Sequence, residues 1–232
     1  MGTAKCGHGS KILVKINKDD FRNLSNKERA EVYADVKVYH DIYKTSKFSI
    51  PKRIHNLRFQ HLTTLMKDVS NKKILDAGCG EGYFLSKIQS KKKSGIELSE
   101  KRVSLAKKLY PELNIQVADL KQLPFNDNSF DVIICSEVLE HVSNFKQALK
   151  EFKRCIKPDG CIILSFPNEP MVGLGRLIIR RFPIHEVDHI NSISPVDIKP
   201  IFGEKYVSMN VPPIPYPLCL YQIYRFDAIN FK

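Results

Sequence analysis

The sequence predicts an α/β fold built on a doubly wound, mostly parallel sheet, with helical residues in front of it. From residue 73 onward, short apolar runs typical of buried strands alternate with stretches of helical periodicity. Strands that are apolar on both faces and separated by helices indicate a parallel sheet covered on both sides. The length of 232 residues suits one such domain with a small appendage.

The elements follow in chain order. Apolar residues at helical spacing predict an N-terminal helical cap in residues 1–70, before an α/β domain in residues 71–232. Buried strands are expected at 73–77, 93–97, 114–118, 131–136 and 161–166. Helices are expected at about 81–89, 100–110 and 142–156, with a Pro-Asp-Gly turn at 158–160. After a lid insertion at about 168–195, two closing strands are expected at 206–211 and 224–231.

A glycine-rich loop follows the first strand. Residues 74–84 read ILDAGCGEGYF, which is a buried strand, a tight turn and the start of a helix. Gly78 and Gly80 let the backbone approach a ligand closely, at the strand end where doubly wound sheets bind ligands. Glu97 ends the second strand, where such folds place a carboxylate that accepts hydrogen bonds from ribose hydroxyls. The loop therefore predicts a site for a ligand that contains ribose.

The acidic residues around this loop disfavour a dinucleotide. Glu81 lies inside the glycine pattern at the start of a helix, where its charge would repel a pyrophosphate, and Asp76 adds a second negative charge. A ligand with a ribose and a cation but no phosphate fits these charges, and S-adenosylmethionine is such a ligand. The alternative is a purely structural strand-turn-helix corner, against which the position of Glu97 argues.

With these motifs, residues 73–166 resemble a class I S-adenosylmethionine-dependent methyltransferase, most of all the branch of the ubiquinone and menaquinone biosynthesis methyltransferases. The resemblance implies a Rossmann-like seven-stranded sheet of order 3-2-1-4-5-7-6 with the last strand antiparallel. It implies methyl transfer to a heteroatom, with oxygen favoured, of a small-molecule acceptor. Asp119 would accept a hydrogen bond from the adenine amino group between Leu98 and Leu120. The full set of implied cofactor-binding residues is Asp76, Gly78, Gly80, Glu97, Leu98, Asp119, Leu120 and Ser136.

An acidic and histidine-containing segment follows the fourth strand, where the methyl group of the cofactor would point. Residues 136–142 read SEVLEHV, and in a helix Glu137, Glu140 and His141 would share one face. The later His189 would come over the same site. Mixed carboxylate and imidazole ligands suit a divalent metal ion such as Mg, Mn or Zn.

Three interpretations of this segment stay open. His141, the expected catalytic residue, would act as a general base that takes a proton from an acceptor hydroxyl. Alternatively, the segment and His189 would bind a metal, since Glu-x-x-Glu-His with a later histidine resembles small-RNA 2′-O-methyltransferases and some quinone-pathway O-methyltransferases. The third interpretation is a structural wall of the cofactor site. A divalent metal is kept as a hypothesis and is not the favoured interpretation.

The charge of the chain supports an alternative function. A net charge of +12 suits a phosphate-rich partner. Together with the four candidate metal ligands, Glu137, Glu140, His141 and His189, this charge favours an alternative function, that of an RNA 2′-O-methyltransferase with a divalent metal. No RNA-binding module is recognisable in the sequence, which argues against it. A non-catalytic cofactor-binding protein is a further alternative, against which the intact glycine motif argues. The sequence does not predict an oligomeric state.

Composition also bears on localisation. Six cysteines form no CxxC pair, residues 1–10 lack the apolar stretch of a signal peptide, and no apolar run has the length of a membrane span. These observations predict a cytoplasmic protein without a transmembrane segment. Arg176, Arg180 and Arg181 lie among apolar residues of the expected lid, which allows contact with a lipid headgroup at a membrane surface or with a nucleic-acid phosphate. A basic amphipathic helix packed over the pocket is the favoured alternative for this segment.

Overall fold

The computed structural model describes residues 24–25, 27–28, 50–178, 189–213 and 218–231. Seven strands in these residues form one sheet of order β3-β2-β1-β4-β5-β7-β6. The strands are β1 (Lys73–Ala77), β2 (Lys92–Glu97), β3 (Asn114–Val117), β4 (Phe130–Ser136), β5 (Ile156–Pro167), β6 (Val207–Val211) and β7 (Tyr221–Asp227). β7 pairs antiparallel with β5 and β6, whereas the other pairs are parallel. The predicted fold class, strand order and antiparallel last strand are confirmed.

The described residues also contain six α-helices. They are α1 (Ile50–Met66), α2 (Tyr83–Lys87), α3 (Glu100–Leu109), α4 (Phe145–Cys155), α5 (Glu169–Ile178) and α6 (Pro195–Phe202), with 3₁₀ turns at Leu139–His141 and Ala228–Asn230. Side-chain capping fixes the N-termini of two of these helices. The Ser99 hydroxyl accepts a hydrogen bond from the backbone N–H of Arg102 at the start of α3. Ser194 and Asp197 form a reciprocal capping box at the start of α6.

Both faces of the sheet are buried. Side chains alternate along a strand, so Leu75 and Ala77 of β1 join one core cluster, which includes residues of α4 and α6. Ile74 joins the other cluster, which includes residues of α1, α2 and α3. This is the arrangement that the apolar strands predict for a parallel sheet.

One predicted turn is wrong. Residues 158–160 lie within β5, where the register against β4 jumps from the pair Phe130–Ile156 to the pair Val132–Cys161. A Cβ added at Gly160 would come 2.8 Å from the carbonyl oxygen of Asp131, so the missing side chain lets the two strands approach. An irregularity inside the strand therefore takes the place of the turn.

The N-terminal cap and the lid are described only in part. Helix α1 belongs to the predicted cap and packs on the sheet, where the Arg225 guanidinium donates to the carbonyl of Leu65 at 2.5 Å. Residues 1–23, 26 and 29–49 lie outside the described residues. Helix α5 falls within the predicted lid insertion, and residues 179–188, including Arg180 and Arg181, also lie outside the described residues. In the described part of the chain, no helix is long and apolar enough to span a bilayer.

Candidate functional site

A cavity opens where β1, β2 and β4 end. It is lined by all eight predicted cofactor-binding residues together with the expected catalytic histidine, which are Asp76, Gly78, Gly80, Glu97, Leu98, Asp119, Leu120, Ser136 and His141. The carboxyl ends of adjacent parallel strands meet at one edge of the sheet, so loops that are distant in sequence converge there. The fold thus brings together the residues that the sequence singles out.

The glycine loop is fixed by backbone bonds to β2. The N–H groups of Gly78 and Cys79 both donate to the carbonyl of Ile96, at 2.8 and 2.9 Å. Gly78 has a φ of 86°, in the left-handed region, and a Cβ there would lie 2.5 Å from Cγ2 of Val138. Glycine at this position therefore lets the loop after β1 pack directly on the loop after β4.

The carboxylate of Glu97 is held by three backbone N–H groups. Its Oε2 accepts from Gly80 at 3.1 Å, and its Oε1 accepts from Leu98 at 2.8 Å and Ser99 at 3.0 Å. These bonds connect the end of β2 to the glycine loop and to the start of α3. The carboxylate is thereby oriented at the cavity wall before any ligand binds.

Asp76 carries a buried carboxyl group whose pKa is strongly raised. The side chain is 4% exposed, and burial, followed by the nearby charge of Glu97, raises its pKa to about 7. A cation bound beside Asp76 would favour the ionised form of this carboxyl. The electrostatics of the cavity therefore suit a positively charged ligand.

Glu137 departs from the helical expectation. Its φ is 57°, and regular 3₁₀ structure begins only at Leu139, so the predicted helical face of Glu137, Glu140 and His141 is wrong. One Glu137 oxygen accepts from the Ser165 hydroxyl at 2.9 Å, and the other lies 3.3 Å from the Arg58 guanidinium. Burial raises the pKa of Glu137, and the positive charge of Arg58 opposes that rise.

Three of the four candidate metal ligands nevertheless converge. Glu140, His141 and His189 each offer a ligand atom, and these atoms lie within 4.8 Å of one another. Glu140 is 1% exposed, and neither of its carboxylate oxygens has a hydrogen-bond partner among the described residues. Burial and the charge of Glu137 raise the pKa of Glu140 well above its usual range. Glu137 itself is not part of this cluster.

Backbone and amide bonds hold His189 over the 3₁₀ turn. The N–H groups of Ile190 and Asn191 donate to the Glu140 carbonyl at 2.9 and 3.0 Å. The Asn191 side-chain amide donates to the carbonyls of Leu139 at 3.1 Å and Val142 at 2.8 Å. The His141 and His189 rings then meet edge to face, with centroids 4.8 Å apart.

Comparison with known proteins assigns the family. Residues 75–164, which contain the glycine loop, Glu97, Asp119 and the 3₁₀ turn, match the family model described as a methyltransferase domain. The chain carries a class I S-adenosylmethionine-dependent methyltransferase domain. The cofactor of this methyltransferase is S-adenosylmethionine.

Several named relatives of this methyltransferase belong to quinone biosynthesis. The ubiquinone biosynthesis O-methyltransferase of Rickettsia prowazekii is 27% identical over 203 residues, which cover 80% of each chain. The demethylmenaquinone methyltransferase of Chlorobaculum tepidum is 28% identical over 146 residues, which cover 62% of this chain and 59% of the relative. The chain thus spans most of the first relative and less than two thirds of the second. The resemblance to this branch is confirmed.

A solved structure supports the fold of the methyltransferase. A candidate methyltransferase, solved in complex with the Haloferax volcanii Trm112 methyltransferase activator, superposes with a TM-score of 0.63 at 17% identity. The match covers 88% of this chain and 97% of that chain. At this level of identity the likeness concerns the fold alone.

Sequence reasoning missed Arg58, which lines the cavity from α1. Its side chain is buried, and it stands in a helix whose apolar residues, such as Ile54, Leu57 and Leu62, recur at helical spacing. The position of Arg58 within that apolar pattern could have indicated a buried arginine with a partner, because arginine is rarely buried without one. Arg102 was missed too, and it lies 3.8 Å from the buried carboxylate of Glu81.

Proposed function

We propose that the protein transfers the methyl group of S-adenosylmethionine to an oxygen of a small-molecule acceptor, with His141 as the general base. One observation carries the proposal, namely that a single cavity joins the glycine loop and Glu97 to His141. Residues suited to hold the cofactor and a group suited to accept a proton therefore line the same space. The relatives named as O-methyltransferases support oxygen as the acceptor atom.

The cavity residues have distinct roles in holding the cofactor. The Glu97 carboxylate, already oriented by three backbone N–H donors, accepts hydrogen bonds from the ribose hydroxyls. Asp119, whose carboxylate is fixed by the N–H of Lys121 at 2.9 Å, accepts from the adenine amino group between Leu98 and Leu120. The methionine part of the cofactor would then be bound by the loop after β1 and the loop after β4.

The methionine end meets charges of both signs. Asp76 and the backbone of Gly78 and Gly80 face the ammonium group. A cation beside the Asp76 carboxyl, whose pKa is raised to about 7, favours its ionised form. Arg58 lines the same cavity and would bind the carboxylate of the methionine part of the cofactor, because a guanidinium forms bidentate pairs with carboxylates. Ser136 lines the wall between them and shares a hydrogen bond with Ser165 at 2.8 Å.

His141 serves the acceptor. The sulfonium cofactor supplies an electrophilic methyl group, whereas a neutral hydroxyl is a weak nucleophile. If His141 takes the hydroxyl proton as the oxygen attacks, the oxygen becomes a stronger nucleophile. General-base catalysis of this kind raises the rate by a factor of about 10²–10⁴. Alignment of the oxygen with the methyl group contributes about 7–11 kcal/mol of the barrier in well-oriented reactions.

A methyl-transfer assay tests the proposal. Purified protein is incubated with S-adenosylmethionine and a panel of hydroxylated aromatic acceptors, and the formation of S-adenosylhomocysteine is measured. His141→Ala should lower kcat by about 10²–10⁴ while binding of S-adenosylhomocysteine is retained. The matched control is His61→Ala, since His61 stands on α1 and does not line the cavity. Equal rates for wild type and His141→Ala would remove the histidine from the proposal.

A second candidate function is RNA 2′-O-methylation with a divalent metal, which the buried carboxylate of Glu140 favours. A buried carboxylate without partners is costly unless it is protonated or faces a cation. The cluster offers one carboxylate oxygen and two imidazole nitrogens within 4.8 Å, a donor set that suits Mn or Zn and, with water, Mg. Glu140, His141 and His189 would hold the ion, which would acidify the acceptor hydroxyl when bound.

Thermal unfolding and RNA titration separate the two candidates. If the cluster binds a metal, MnCl₂ should raise the Tm of the wild type, and Glu140→Gln should abolish that rise. The matched control is Glu112→Gln, since Glu112 is exposed and outside the cluster. RNA binding that weakens steeply with salt would favour the RNA substrate. A Tm that does not respond to Mn, Mg or Zn contradicts the metal candidate and leaves His141 as the base.

A further inference from the structure

A carboxylate supports His189 on one side of the cluster. Glu169, the first residue of α5, contacts Nδ1 of His189 through its Oε1. The His189 side chain is 14% exposed and that of Glu169 is 19% exposed, so this contact is largely removed from water. A hydrogen bond between a carboxylate and an imidazole in such a setting is strong and directional.

Both partners of this contact stand on anchored backbone. Asn168, just before Glu169, is buried, and its N–H and side-chain amide donate to the carbonyls of Leu220 and Cys219 at 2.8 and 2.9 Å. The carbonyl of Asn168 accepts the first backbone bonds of α5. On the other side, Asn191 fixes the residues after His189 to the 3₁₀ turn. The position of Glu169 relative to His189 is therefore set by the fold.

The contact also selects which ring nitrogen can act. A carboxylate at Nδ1 favours the tautomer that carries its proton there, because an ionised carboxylate only accepts hydrogen bonds. Nε2 then carries the lone pair, and it is the atom with which His189 can join Glu140 and His141 in binding a cation. Carboxylates that fix ligating histidines in this way raise the basicity of the imidazole and set its orientation.

We propose that Glu169 is a positioning residue, which holds His189 in the Nδ1–H tautomer and presents Nε2 to Glu140 and His141. The part of this inference that concerns metal affinity rests on the metal candidate described above. The part that concerns the tautomer is a property of the metal-free protein. The two parts are measured separately.

The tautomer is read from ¹⁵N chemical shifts of the histidine rings, recorded at about pH 8.5, above the ordinary pKa of histidine. The samples are metal-free wild type, Glu169→Gln and Glu169→Ala, and His189→Gln assigns the resonance. Wild type should show an unprotonated Nε2. Glu169→Gln should keep this tautomer, because its side-chain carbonyl still accepts from Nδ1–H. Glu169→Ala should shift the ring toward the Nε2–H form, and a wild-type tautomer in the Ala variant would overturn the proposal.

Calorimetric titration with MnCl₂ or ZnCl₂ gives the second readout. Glu169→Ala should weaken metal binding about 10–100-fold, with a smaller loss for Glu169→Gln and no change in S-adenosylhomocysteine affinity. Glu204→Ala, which removes an exposed carboxylate beside Lys199, is the control. Wild-type affinity in Glu169→Ala, together with the wild-type tautomer, assigns Glu169 a purely structural role. If the wild type itself binds no metal, the metal candidate fails, and the tautomer measurement alone decides the role of Glu169.

Discussion

Arg58 and Glu137 form a buried ion pair at 3.3 Å that joins helix α1 to the residue after β4. Their side chains are 3% and 12% exposed, so neither charge has much access to water. The Glu137 carboxylate also accepts from Ser165 of β5. These two contacts connect helix α1, the residue after β4 and strand β5 at the wall of the cavity.

Removing the cation of this pair should be costly. Arg58→Met is expected to lower the free energy of unfolding by about 3–5 kcal/mol, because Glu137 would remain buried without its partner. The measurement is urea unfolding of the cofactor-free protein. The control, Arg53→Met, changes an exposed arginine of the same helix and should have an effect of about 1 kcal/mol or less.

A double variant isolates the charge. Arg58→Met combined with Glu137→Gln leaves no unpaired carboxylate, so it should recover part of the stability that Arg58→Met loses. A double variant that is no more stable than the additive sum of the single variants would show that the arginine acts through packing rather than through its charge.

The carboxylate at the end of β2 should control cofactor affinity. Glu97→Ala removes a group preset by three backbone N–H donors, and each hydrogen bond to a charged group contributes about 1.5–3 kcal/mol. Calorimetry should therefore show S-adenosylhomocysteine binding weakened by a factor of about 10–100 or more. Glu100→Ala, an exposed carboxylate at the start of α3, should bind like the wild type. Unchanged affinity in Glu97→Ala would move the ribose contact to another residue.

The parts of the site that sequence alone predicted are those encoded locally. The bounds of β1 were predicted to the residue, and Gly78, Gly80 and Glu97 were placed because apolar runs and glycine spacing mark a strand, a turn and a strand end. The capping box of Ser194 and Asp197 is also encoded locally, since it lies within four consecutive residues.

The parts that sequence alone missed depend on long-range contacts. Arg58 meets Glu137, and Glu169 meets His189, only after the sheet has assembled, and no local pattern encodes either pair. The helical expectation at Glu137 was wrong because the chain turns there. Its N–H bonds to the carbonyl of Ser165 on β5, which leaves Glu137 with a φ of 57° and starts the 3₁₀ turn later.

Asp76 should make cofactor-free stability depend on pH. Its pKa is raised from 3.8 to about 7 in the folded protein, so the fold favours the protonated form. This contribution to stability is fully present below about pH 3.8 and is lost as pH rises toward 7. Urea unfolding between these values should show the loss, and Asp76→Asn should remove it. If the wild type and Asp76→Asn lose stability identically with pH, a group other than Asp76 is responsible for the pH dependence.

The same carboxyl should couple cofactor binding to proton release. A cationic ligand beside Asp76 favours ionisation, so S-adenosylmethionine affinity should rise between about pH 6 and 8, around the pKa near 7. Calorimetry in buffers of different ionisation enthalpy counts the protons released on binding. Asp76→Asn should release fewer protons and bind more weakly at the upper end of this range. An affinity that is flat with pH in the wild type would argue that the cation lies away from Asp76.

The two loop glycines should differ in their tolerance of a methyl group. Both have positive φ, 86° at Gly78 and 54° at Gly80, so alanine costs about 1–2 kcal/mol at either position from backbone strain. At Gly80 the nearest atom to an added Cβ is Nη1 at the far end of the long Arg102 side chain, at 3.3 Å, whereas at Gly78 it is Cγ2 of Val138 at 2.5 Å. Gly78→Ala therefore carries a further overpacking cost of about 1–3 kcal/mol.

Urea unfolding of the two alanine variants measures this difference. Gly78→Ala should be the less stable and should also bind S-adenosylhomocysteine less well, because the loops after β1 and β4 are forced apart. Adding Val138→Ala to Gly78→Ala should restore part of the lost binding, since it removes both methyl groups that lie within 2.7 Å of the new Cβ. If Val138→Ala restores nothing, strain at φ, rather than contact with the loop after β4, is the reason that position 78 requires glycine.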